Sequence, residues 1–118
     1  MIYHVVHTML TKATITDASL DSGRLSVGEF SAGLLFADVG AVKTNTTLDI
    51  TVETSPDGGT NWHELTTMTQ ITDADASSQV DVKALTDMGE DLRVSCAIAG
   101  VVSPSINFGI KFVGKGEG

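Results

Sequence analysis

The segment TVETSPDGGTNWHELTT, residues 51–67, gathers Ser55, Asp57, Gly59 and Trp62 within eight positions. A hydroxyl near a carboxylate is half of a nucleophile–base pair, and an acid near a tryptophan fits a sugar site, so the stretch reads as catalytic, as glycan-binding or as a hairpin turn. The local physics favours the turn. Pro56 fixes φ at the first turn position. Asp57 can accept bonds from nearby backbone N–H groups, and Gly58 and Gly59 admit the positive φ that a tight turn needs. Trp62 is then expected to fold over the turn and cover the sheet edge. A catalytic reading needs an activated partner beside Ser55 or Asp57, and the neighbouring sequence supplies none.

The same residues match most of the S-x-D-x-G-x-T-W pattern called the Asp-box, with Asn61 standing where the pattern has Thr. In sialidase-like propellers, which this box resembles, it is a structural hairpin away from the active site. A propeller also needs many such blades, and this chain has one. Ser55, Asp57, Gly59 and Trp62 are therefore read as a structural turn.

No other group of residues makes a stronger chemical case. His4 and His7 lie three apart on an expected strand and so face opposite sides, with His63 far along the chain. Asp17, Asp21, Asp73 and Asp75 are loop carboxylates; the last two sit at i and i+2 but lack the Gly and later Glu of a calcium loop. Cys96 falls mid-strand among Leu92, Val94 and Ile98 and reads as a small buried hydrophobe. No G-x-S-x-G, P-loop or G-x-G-x-x-G motif occurs. The expectation is a protein that is not an enzyme and uses no metal and no cofactor.

Composition narrows the partners. The 118 residues suit one domain, with roughly two-thirds of the unfolded surface buried on folding. Seven Lys and Arg against 15 Asp and Glu give a net charge of −8, which repels phosphate backbones and anionic lipid, so neither nucleic acid nor membrane is an expected partner. A single cysteine excludes an intrachain disulfide. The start, MIYHVVHTMLTK, lacks a basic leader region, and synthesis in a reducing cytoplasm is expected.

The elements that would position these residues are strands. Leu48, Ile50 and Val52 alternate with Thr47, Asp49, Thr51 and Glu53; Leu92, Val94, Cys96 and Ile98 share one face, as do Ile106, Phe108, Ile110 and Phe112. Residues 33–39 form an apolar run suited to a central strand, residues 24–30 and 78–85 are shorter candidates, and residues 61–69 return from the hairpin. No long segment keeps a helical period. The reading is an all-β, single-domain antiparallel β-sandwich, of jelly-roll or immunoglobulin-like type. It divides into an N-terminal strand or arm over 1–12, a sandwich over 13–113 and a flexible Gly-rich tail over 114–118.

The order TLDITVETSPDGGTNW, DLRVSCAIAG, SPSINFGIKFVG resembles a group of small tailed-phage virion proteins. The likeness spans about residues 33–113. It implies a structural role, as a capsid decoration (cement) protein that stabilises the outside of the shell. The major capsid protein and further copies of itself, as a homotrimer, are then the expected partners. Apolar residues on both faces of the first strand make Ile2, Tyr3, Val5, Val6, Met9 and Leu10 the expected contact surface, so that a chain lacking residues 1–10 would fold but not attach. Two alternatives share the fold: a carbohydrate-binding or host-recognition module, and a tail or head–tail subunit.

Overall fold

The computed structural model describes residues 2–75, 80–86 and 88–117. Nine strands follow in order: β1 (Ile2–Ile15), β2 (Ser19–Asp21), β3 (Leu25–Ser26), β4 (Phe30–Val42), β5 (Thr47–Ser55), β6 (His63–Thr67), β7 (Val80–Thr86), β8 (Asp91–Ala99) and β9 (Ile106–Glu117). They form two antiparallel sheets, one ordered β1-β9-β4-β7 and the other β2-β8-β5-β6, with β3 also paired to β8. Of sequence neighbours, only β5 and β6 make a hairpin; the other connections from β1 to β9 pass between sheets or between the two short strands β2 and β3. With β2 and β3 counted as one broken strand, this is a sandwich of two four-stranded sheets in jelly-roll order, and the immunoglobulin alternative is set aside.

Period-two alternation places the core as the sequence implies. Leu48, Ile50, Val52, Leu92, Val94, Ile98, Ile106, Phe108, Ile110 and Phe112 are all buried in one cluster, joined by Leu35, Ala37 and Val39 of β4. The apolar run at 33–39 is an interior strand, between β9 and β7. The 24–30 candidate yields only the two residues of β3, because the chain then turns: the Phe30 N–H bonds the Val27 carbonyl at 2.9 Å while Val27 is buried. Residues 78 and 79 of the 78–85 candidate lie outside the described residues.

Both ends of the chain differ from the expected boundaries. Residues 114–117, expected as a mobile tail, continue β9 and pair with β1, while Gly114 and Gly116 also pair with β4. Their glycines have a packing role. A Cβ on Gly114 would lie 2.7 Å from the Phe30 ring, and one on Gly116 would lie 2.5 Å from Tyr3. Two aromatic rings thus cover strand positions that no side chain can share. The first strand runs on to Ile15 with no break at residue 12, and it is a full member of the sheet. Tyr3, Val5, Met9 and Leu10 are partly buried against the core, whereas Val6 points outward and is 62% exposed. The side chain of Ile2 lies outside the described residues.

Two substitutions test this packing by chemical denaturation. Leu92→Ala, at a fully buried site, should cost about 2–5 kcal/mol. Gly114→Ala should also lower the unfolding midpoint, because the Phe30 ring must move; an unchanged midpoint would mean that the chain end is not packed.

Candidate functional site

The hairpin turn between β5 and β6 is closed by its own side chains. The buried Ser55 hydroxyl donates to Asp57 Oδ1 at 2.8 Å and accepts the N–H groups of Asp57 and Gly59 at 3.3 and 2.9 Å. Asp57 Oδ1 also accepts the Asn61 N–H at 2.9 Å, and Oδ2 accepts the Asn61 side-chain amide at 2.7 Å. Gly58 and Gly59 take φ of 73° and 93°, the left-handed region that glycine enters without strain. These bonds to Asn61 and Ser55 favour the charged form of Asp57 and lower its pKa from 3.8 to about 2.

Residues distant in sequence lock the turn to the sheet. Arg24 donates to the Gly58 carbonyl, and its Nε lies 3.8 Å from the buried Asp91 carboxylate. Trp62 stands beside Gly59, whose added Cβ would meet the indole at 3.4 Å. The Arg93 guanidinium lies 4.4 Å from the centre of the Trp62 ring, and its Nε is held at 2.8 Å by Glu53. Ser55, Asp57, Gly59 and Trp62 are therefore brought together, and each bonds or packs within the turn. The Ser55 hydroxyl donates to a carboxylate that also accepts both Asn61 donors, an arrangement that orders the turn backbone. Arg24, Asn61 and Arg93 complete the cluster. Asn61 was visible as the departure from the box pattern. Arg93 follows from the register that sets it opposite Glu53. Arg24, 34 residues from Gly58, left no local signal.

The other candidates are dispersed. His4 faces outward on β1 while His7 turns inward, its ring 6.2 Å from that of Phe30, and His63 begins β6 on the opposite sheet. Among the described residues no three His, Cys, Asp or Glu side chains are grouped to hold a metal ion. Asp75 accepts the Thr72 N–H at 2.9 Å and Asp73 accepts the Asn45 N–H at 3.0 Å, so both carboxylates organise the short helical turn Asp73–Asp75. Burial, followed by the charge of Asp21, pushes the Cys96 thiol up to about 12, far from a thiolate at neutral pH.

A surface feature that the sequence reading did not isolate lies on the outer face of the four-stranded sheet. Three rows cross all four strands. His4, Lys115, Ala32 and Thr86 form the first, Val6, Val113, Leu34 and Ala84 the second, and Thr8, Lys111, Phe36 and Val82 the third. The middle row is wholly aliphatic, Val82 is 48% exposed and Leu34 39% exposed, and a shallow groove of about 250 Å³ runs between His4, Leu34, Ala84 and Val113. Two lysines flank the row and none of the twelve positions is acidic, on a chain of net charge −8. The outer face of the other sheet carries Asp21, Asp49, Glu53 and Glu64.

No family model and no curated protein matches the chain. Solved structures do. A chain in the structure of infectious bursal disease virus, Gx strain, superposes with a TM-score of 0.61 at 6% identity, over 98% of this chain and 32% of that one. The xylanase domain CBM36-1 from the hindgut metagenome of Trinervitermes trinervoides gives 0.49 at 7% identity, over 98% and 99%. The chain thus spans about a third of the viral chain. At 6% identity the likeness speaks for the fold alone.

The charge on Asp57 gives a pH signature. Its folded pKa lies below the ordinary value, so the stability it contributes is present above about pH 4 and is lost as the pH falls through about 2. Asp57→Asn replaces an acceptor with a second donor facing Asn61. At pH 7 the variant should unfold at a lower temperature than wild type, and the gap should narrow toward pH 2. Parallel melting curves across that range would contradict the assignment.

Proposed function

We propose that this protein is a structural subunit of a virus particle, a decoration protein that binds and stabilises the outside of a tailed-phage capsid. The observation that carries the reading is the aliphatic and cationic outer face of the β1-β9-β4-β7 sheet. An acidic chain that gathers Val6, Val113, Leu34, Phe36 and Val82 with Lys111 and Lys115 on one side of a sheet has a face suited to apolar contact with an acidic partner. The major capsid protein is that partner in this reading. The motif resemblance over residues 33–113 supports a virion role, and the jelly-roll order is one that viral shells use. The net charge of −8 favours the outside of the shell, because packaged DNA would repel it on the inside.

The carbohydrate-binding alternative needs an open aromatic platform. Trp62 has Arg93 stacked on it, Phe30 is buried, and Tyr3 packs beside Gly116 at the sheet edge. That leaves little aromatic surface free to stack on a sugar ring.

Co-sedimentation with undecorated capsids of the source phage tests the proposal. Wild type should sediment with the shells. Leu34→Glu puts a carboxylate in the middle of the aliphatic row and should weaken binding at least tenfold, about 1.4 kcal/mol, with an unchanged circular dichroism spectrum. Normal decoration by Leu34→Glu would overturn the assigned face. Location on tails only, or glycan-array binding that Trp62→Ala abolishes, would overturn the function.

A further inference from the structure

Four places in the sandwich end a sheet, and three of them carry the features that discourage pairing with another chain. Strands β2 and β3 are three and two residues long. Strand β6 has five residues and a register shift against β5. Strand β7 has seven residues and carries Lys83. Strand β1 differs: it has 14 residues, and among the described residues it pairs on one side only, with β9. From Ile2 to Thr8 that pairing runs without a register shift; the two irregularities come later, at Thr8/Leu10 and Leu10/Ala13. No Asp, Glu, Lys or Arg occurs before Lys12. Along this stretch Tyr3 and Val5 are only partly covered by the core, and Val6 is 62% exposed at the open end of the aliphatic row.

We infer that the free edge of β1 pairs with the same edge of a second copy of this chain, antiparallel about a two-fold axis at Val6. The two four-stranded sheets then become one sheet of eight. A second copy fits because the segment is uncharged: the two-fold axis brings no like charges together, although the chain as a whole is strongly acidic. In this register Val6 meets Val6 on the outer face, with His4 beside Thr8. On the inner face Val5 meets His7, so partly buried residues gain cover. The regular stretch around the axis, His4–Thr8, supplies roughly five main-chain hydrogen bonds. The aliphatic row Ala84, Leu34, Val113, Val6 continues unbroken into the second copy. An edge that pairs with itself closes at two copies. This pairing therefore predicts two copies in solution, where the resemblance implied three. This inference does not rest on the virion reading.

Light scattering after size exclusion, with the purified full chain alone, tests it. Wild type should show twice the chain mass of 12.3 kDa at micromolar concentration. Val6→Lys sets two ammonium groups face to face at an exposed position and should raise the dissociation constant at least tenfold, giving single chains with an unchanged circular dichroism spectrum. Val6→Cys should oxidise to a covalent pair, while wild type, with Cys96 buried, stays unlinked. A single-chain wild type, a three-chain mass, a Val6→Lys variant that remains paired, or no disulfide in Val6→Cys would each overturn the proposal.

Discussion

Between β1 and β4, strand β9 is paired along both edges, and its inward side chains Ile106, Phe108, Ile110 and Phe112 run through the middle of the core. The rest of the sandwich depends on that arrangement. Alternation fixes which face of β9 is buried, and a one-residue slip would send all four apolar side chains to solvent. The pairing then sets the register of β1 and β4 on either side. Gly114 and Gly116 let the strand continue past the last inward side chain, because Phe30 and Tyr3 fill the space above them. The outer rows are aligned by the same constraint: Lys111, Val113 and Lys115 face outward because Ile110, Phe112 and Gly114 face inward.

The side chains of the hairpin at 55–62 hold the turn they sit on. Ser55 and Asp57 have the types of a nucleophile and its base, but each hydrogen bond they make holds the turn that joins β5 to β6. Arg24 and Arg93 then fasten that turn to β8 and to Trp62. The conspicuous polar groups of this turn are already satisfied, whereas the outer sheet face leaves aliphatic surface in water.

The parts of the fold legible in the sequence are those governed by period two. Strands β5, β8 and β9 announce themselves because one face is apolar and the other polar, and the hairpin does so through Pro56, Asp57 and two glycines. The sequence GKGEG has the composition of a mobile tail; that aromatic rings from β1 and β4 cover Gly114 and Gly116 is a long-range fact. The outer face was hidden for a related reason. Its rows combine single residues from four strands, and within β4 the outward Leu34 and Phe36 are lost in an apolar run shared with the inward Leu35 and Ala37. Strand β1 was seen to be apolar on both faces, and the structure divides those residues between core and surface.

In the proposed role, the outer face of the β1-β9-β4-β7 sheet is the surface that meets the shell. Cryo-electron microscopy of the mature particle, at a resolution that separates strands, is the most direct test. The account predicts density for this sandwich on the outside of the capsid, with Val113, Leu34, Lys111 and Lys115 turned toward the major capsid protein. Density in which the Asp49 and Glu64 face meets the shell, or a sandwich found on the tail, would contradict it.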